Sequence, residues 1–191
     1  MEETITTLIA WVAIDQRGPS SLYFASDSRI TWGSPGRRWD VGRKLFACKK
    51  SPDIFGYVGE VLFPSLVLGQ LIDAVDHDIL FSLSDDPAYK HAEFVRTVQS
   101  SFGNRHEAPN DSFEILHATR VGNGVTAMFR IWLLIYTATS KSWSDNEIQI
   151  PTACSGLIVA RGTGASSRIP CHAIASRKPG SRQPINLLGV L

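Results

Sequence analysis

Thr6 to Ser26 reads TTLIAWVAIDQRGPSSLYFAS, and the fold is decided by how its two halves relate. Thr6 to Ile14 and Leu22 to Ser26 are apolar and rich in β-branched and aromatic residues. Asp15 to Ser21 between them carries the Gly18-Pro19 pair of a turn. The pattern predicts an opening β-hairpin. Ile30 to Asp40 reads as a loop, because Gly33, Pro35 and Gly36 interrupt it. Lys44 to Cys48 and Ile54 to Val58 read as a second strand pair around Ser51-Pro52. From Pro64 the pattern changes to Val67, Leu71, Ala74 and Val75, a helical stripe with proline suited to its first turn. A second helix is predicted between Pro87 and Phe102, with Asp85 or Asp86 capping its start. Phe113 to Thr119, Ala127 to Thr139, Glu147 to Ile150 and Gly156 to Ala160 return to strand-like runs. Turns are expected between them at Gly122-Asn123-Gly124 and at Ser142 to Asp145. Strands, helices and strands in separate runs predict an α+β fold with largely antiparallel sheet, since a βαβ repeat would alternate. A two-sheet sandwich with outer helices buries these strands.

The chain has 191 residues, 43% hydrophobic and 19% charged, which fits one globular domain and not a disordered or fibrous chain. Its most apolar runs, such as Ile131 to Tyr136, fall far short of the roughly 20 residues that cross a bilayer. Met1-Glu2-Glu3 is acidic where a signal peptide is basic, so a cytosolic chain without membrane contact is expected. Cys48, Cys154 and Cys171 are scattered and odd in number, which reads as free thiols. His77, His91, His106, His117 and His172 show no metal-ligand spacing, and surface or packing roles are expected; neither a metal nor a cofactor is. The net charge of +1 hides an asymmetry: residues 1–147 carry −4, and residues 148–191 carry +5 with no acidic residue. The basic end, Arg161 to Arg182, reads as a tail for nucleic acid or an acidic partner, or as a plain disordered terminus. With no aromatic residue after Trp143 the second reading is preferred, and nucleic acid is not an expected partner.

Thr6-Thr7-Leu8-Ile9-Ala10, then Ser26-Asp27-Ser28-Arg29, then Lys44, then Gly56-Tyr57-Val58-Gly59 stand in that chain order, and Gly162-Thr163-Gly164-Ala165-Ser166 follows. Together they resemble the catalytic β-subunits of proteasomes and their bacterial relatives, which are N-terminal-nucleophile (Ntn) hydrolases. In that family the mature chain opens with TT and an apolar strand, and the returning strand ends in a D-x-R turn. A lysine opens the third strand, a glycine follows the fourth, and a GSGS turn leads from the last sandwich strand into a helix. The resemblance spans about residues 6–166. It implies an αββα sandwich, a peptide or protein substrate, and assembly into a homo-oligomeric ring.

The chemistry of each position can be stated independently. A threonine hydroxyl is a poor nucleophile near neutral pH, but a threonine at a free N-terminus carries its own base, an α-amino group of pKa about 7.7–8.0. A buried ammonium at Lys44 beside that amine disfavours a second positive charge and keeps the amine available as base. Asp27 would hold Lys44 charged and oriented. The Gly59 backbone N–H, unobstructed by a side chain, would donate to the oxyanion of a tetrahedral intermediate. Arg29 is expected to brace the turn, with Gly162, Gly164 and Ser166 supporting from the second turn. Taken singly each residue has a plainer reading: Thr6 and Thr7 as a strand start, Lys44 as a solvated strand end beside Arg43 and Lys49, Gly59 as a turn residue.

Three departures from the family pattern shape the expectation. About five extra residues separate Thr6 from Asp27, most simply at the hairpin tip Asp15 to Ser21. Ile5 precedes Thr6 where relatives cleave after glycine, so residues 1–5 read as a propeptide or a mis-assigned start, and Thr7 becomes the nucleophile if processing falls one residue later. Residues 165–191 carry Pro170, Pro179 and Pro184 and no acid, so the supporting distal aspartate is expected to be missing and the second helix layer incomplete, as in a truncated or frame-shifted chain or, in the competing account, a natural short form. The expected organisation is therefore 1–5, a domain over 6–164, and an irregular basic tail over 165–191. The leading expectation is a proteasome-like threonine peptidase, and the alternative is a catalytically silent Ntn-fold assembly or binding module.

Overall fold

Alternation along the first hairpin sorts its side chains into two faces. In β1 (Leu8–Asp15) Leu8, Ala10 and Val12 are buried while Ile9, Trp11 and Ala13 are only half-buried, and in β2 (Gly18–Ser26) Leu22 and Phe24 are buried. The computed structural model describes residues 6–32, 37–106, 111–122 and 126–166. The expected propeptide, the tail beyond Ser166 and the Asn123-Gly124 turn lie outside the described residues. The hairpin is tighter than the sequence suggested: Asp15 pairs with Gly18, so Gln16-Arg17 alone make the turn, and the Asp15 carboxylate accepts the Arg17 N–H at 2.8 Å. The β1–β2 ladder shifts register between Ala13 and Ile14.

On its other edge β1 pairs with β10 (Gly156–Arg161), giving a three-stranded sheet of order β10-β1-β2. A second sheet runs β5 (Leu45–Ala47), β6 (Asp53–Gly59), β7 (Phe113–Val121), β8 (Met128–Thr137) and β9 (Ser142–Ile148), in that order. Every pairing in both sheets is antiparallel. Two expectations need correction. Ser142 to Asp145 is strand and not turn; the turn precedes it, with Lys141 at φ 49. As an edge strand exposed at most positions, β9 lacks the apolar alternation that marks a strand in sequence. Ile30 to Asp40 holds two short paired strands, β3 (Ile30–Trp32) and β4 (Arg37–Trp39), in a sheet of their own. With β4 fully exposed, burial leaves no signature there either.

Helix α1 (Leu62–Asp76) begins two residues before Pro64, because the Glu60 carboxylate accepts the Leu62 and Phe63 N–H groups at 2.9 and 3.0 Å. Helix α2 (Pro87–Gly103) is capped by Asp86, whose carboxylate takes the N–H groups of Ala88 and Tyr89. No helix of the described residues is long and apolar enough to cross a membrane.

Strand β6 is buried on both faces and separates two cores. Ile54 and Val58 face the three-stranded sheet, packing with Leu8, Val12 and Phe24. Phe55 and Tyr57 face the helices, packing with Leu68, Leu71, Phe94 and Val98. Each such side chain contributes roughly 1.5–3 kcal/mol on burial. The protein is thus an α+β fold of antiparallel sheets and two helices, layered helices, five-stranded sheet, three-stranded sheet.

Candidate active site

Strand β1 is antiparallel to both its neighbours, so its beginning must adjoin the ends of β2 and β10: Leu8 stands opposite Ser26 on one side and Arg161 on the other. Topology alone therefore brings Thr6 and Thr7, Asp27, and Gly162-Thr163-Gly164 to one place.

Asp27 is the hub. Its Oδ1 accepts the Thr7 N–H at 2.6 Å, and its Oδ2 accepts the Lys44 ammonium at 2.8 Å and the Arg29 N–H at 3.1 Å. Its own N–H donates to the Thr7 carbonyl. Lys44 is 2% exposed, so a solvated strand end is not its environment, and a buried ammonium needs this carboxylate. Arg29 donates from Nε to Asp40 at 2.7 Å and stays well exposed, bracing the turn after β2.

Thr6 is buried against the other turn. Its N–H donates to Thr163 Oγ1 at 3.0 Å, and its carbonyl accepts the Gly164 N–H at 3.1 Å. Gly162 has φ +90, and a Cβ there would stand 2.2 Å from the Thr6 carbonyl oxygen, so only glycine fits. Ser166 closes the short 3-10 helix Thr163–Ser166. Gly59 also needs its lack of a side chain, at φ +92 with a Cβ position 2.3 Å from the Ser112 carbonyl oxygen. Thr6 and Gly59 share a cavity of about 620 Å³, walled in part by Val58, Phe113, Ile135 and Thr163.

Among the described residues the Thr6 hydroxyl makes no hydrogen bond to Lys44. The lysine is tied to Asp27 and the threonine to the Gly162–Gly164 turn, so the two halves of the arrangement meet through Thr7. One contact at the cavity had no sequence signal. Arg161 on β10 forms a two-pronged ion pair with Glu114 on β7, Nη2 to Oε1 at 2.8 Å and Nε to Oε2, and so ties the two sheets together beside Thr6.

At the other end of β6 lies a polar cluster around two histidines for which the sequence suggested surface or packing roles. His117 donates from Nε2 to Asp53 at 3.0 Å, and its Nδ1 meets His91 Nδ1 at 3.0 Å. His91 Nε2 meets Asp145 at 2.9 Å. Ser51 donates to Asp53, and the Lys90 ammonium lies 3.2 Å from Ser51 Oγ and 3.5 Å from Asp53. Asp53, His117, His91 and Lys90 are all buried. Burial pushes the Asp53 carboxyl up, but His117, Ser51 and Lys90 together hold it below the usual carboxylate range. Burial outweighs Asp53 at His117 and lowers its imidazole from the ordinary histidine value. Among the described residues no three His, Cys, Asp or Glu side chains are placed to hold a metal ion. Apart from the neighbours Lys90 and His91, the cluster's residue numbers, 53, 90, 91, 117 and 145, share no local spacing, so only the fold assembles them. No protein-family model matches the sequence, and no curated protein matches it significantly.

Proposed function

We propose that this chain is a threonine-type amide hydrolase of the proteasome-like Ntn class, cleaving peptide bonds of peptide or protein substrates. One observation carries the reading: at the start of β1 a single carboxylate, Asp27, holds both the N–H of the residue after Thr6 and a buried lysine ammonium. A buried cation held that way beside a strand start has no packing advantage over an apolar side chain. It serves chemistry at the neighbouring amine.

In this reading cleavage between Ile5 and Thr6 turns the Thr6 amide nitrogen into an amine. The Thr6 hydroxyl adds to the substrate carbonyl while the amine takes its proton, and the Gly59 N–H receives the oxyanion. The proton then passes to the leaving amine as the C–N bond breaks, and water hydrolyses the threonine ester. A homo-oligomeric ring is the setting the resemblance implies, and the acidic N-terminus suggests the cytosol as its compartment.

The second reading, a catalytically silent module with the same sandwich, rests on the Thr6 hydroxyl having no hydrogen bond to Lys44 and on its N–H being engaged by Thr163. Intact mass of the purified protein separates the two. Under the first reading the species begins at Thr6 and hydrolyses a peptide amide, Thr6→Ala abolishes turnover while the fold persists, and Thr6→Ser retains part of it. An untrimmed chain, or equal turnover by wild type and Thr6→Ala, ends that reading.

A further inference from the structure

Strands β6 and β7 each run from the Thr6 cavity to a second one. Gly59 and Phe113 line the first, while Ser51, Pro52, Arg120 and Val121 line the second. At 3.2–3.4 Å per residue the seven-residue β6 separates them by about 20 Å. The second cavity also measures about 620 Å³, within the range of small-molecule sites.

Its lining is cationic. Lys49 and Lys50 stand exposed at it, and Lys90 lies in its wall at 2% exposure. Lys90 is already paired with Asp53 at 3.5 Å and meets Ser51 Oγ at 3.2 Å, so the charge open to a ligand comes from Lys49 and Lys50. Lys50 has only a 3.9 Å contact with Asp78 between two largely exposed side chains, which leaves it free to engage a ligand. Arg120 lines the cavity as well, and its buried Nε donates to nothing among the described residues. Asp85, the acid in the lining, is occupied, its Oδ2 accepting the Ser82 N–H at 2.7 Å. The α2 start is not the attraction, since Asp86 already takes its N–H groups. Cys48 is not a nucleophile there: burial, then the charges of Asp53 and Asp76, push its thiol far up and keep it protonated.

We propose that this cavity is a binding site for the phosphate group of a small molecule, with Lys49 and Lys50 engaging the dianion above Lys90. Lysine binds phosphate as a point charge, and several lysines around one concavity add without any fixed fork geometry. The cavity exceeds a lone phosphate ion in size, which leaves room for an organic remainder. This proposal is independent of Thr6.

The test is calorimetric titration of the full chain at constant ionic strength with two probes, inorganic phosphate and glycerol 1-phosphate. Saturable binding of at least one probe is expected, at one per chain. In Lys49→Gln/Lys50→Gln binding should weaken at least tenfold with an unchanged melting temperature. Tighter binding of the ester identifies an organic phosphate as the ligand, and equal binding identifies free phosphate. No saturable binding of either probe, or the same affinity in the double variant, overturns the site.

Discussion

Lys44 and His117 are both buried bases on strands or their approaches, and each is held by one aspartate, yet they respond to change in opposite ways. Removing the Lys44 ammonium strands Asp27, which then holds only N–H donors, so Lys44→Ala should destabilise the protein by about 3 kcal/mol. The figure sits at the low end for a buried pair because the Asp27 side chain remains 27% exposed. If the proposed chemistry holds, hydrolysis disappears with it, and Lys44→Arg does not restore it, since a planar guanidinium cannot replace a compact ammonium there. Urea unfolding and a peptide-hydrolysis assay check both parts; an active Lys44→Ala protein of unchanged stability would place the lysine outside the machinery. His117 instead resists charge. The unfolded chain takes up a proton there near pH 6.5, whereas burial in the folded protein lowers the imidazole below that value. The unfolded state therefore binds more protons in acid, and stability falls as pH drops below about 6.5, by at most about 1.4 kcal/mol per pH unit for one proton. Asp53 adds a second stage: its folded carboxyl is depressed, so its contribution is present above about pH 4 and lost as pH falls further. Melting temperature should thus decline from pH 7 to 5 and again below 4. His117→Asn should flatten the upper stage, and an unchanged slope between pH 7 and 5 in that variant would show that another group titrates.

At the scale of elements, what could be read in advance was whatever one face of a strand or helix writes into the chain. The opening hairpin alternates because Leu8, Ala10 and Val12 face the core between the sheets. Both helices carry a stripe for the five-stranded sheet, and Asp86 announces α2 by its capping chemistry. What escaped was written nowhere locally. Strand β9 is an exposed edge whose identity comes from pairing, Ile131 to Ile148 through Thr137 to Ser142, and β4 is a three-residue exposed strand. The tight Gln16-Arg17 turn was hidden because Gly18-Pro19, the turn-like pair, begins β2 instead. At the candidate site Thr6, Asp27 and Lys44 stood out through ordered motifs; antiparallel pairing on both edges of β1 brings Thr6 and Asp27 together, and the Asp27 carboxylate reaches Lys44 in the approach to the other sheet. The Asp53-His117-His91 line and the Arg161–Glu114 pair were not legible, since their members meet across 26 to 64 positions of chain.

For the molecule as a whole, the question is what keeps the two sheets in the relation that builds the Thr6 cavity. Apolar packing between them is continuous from Val12 and Ile131 to Leu8 and Val58, but it has no direction and tolerates sliding. The Arg161–Glu114 pair is directional. It joins β10, the edge strand whose end carries Gly162, Thr163 and Gly164 against Thr6, to β7 in the other sheet. Glu114 fixes both prongs of the guanidinium, so the pair sets register between sheets as well as attraction. With side chains 34% and 24% exposed, solvent screens part of its strength, and the loss falls below that of a fully buried pair. Glu114→Gln and Arg161→Met should each cost about 1–2 kcal/mol in urea unfolding, and the double variant should cost less than their sum by about 1 kcal/mol. The proposed hydrolysis should fall in the same order as β10 loosens, because Thr6 depends on the turn that β10 delivers. Single losses that add to the double within about 0.3 kcal/mol would mean that the two residues act separately, and that apolar packing alone holds the sheets in register.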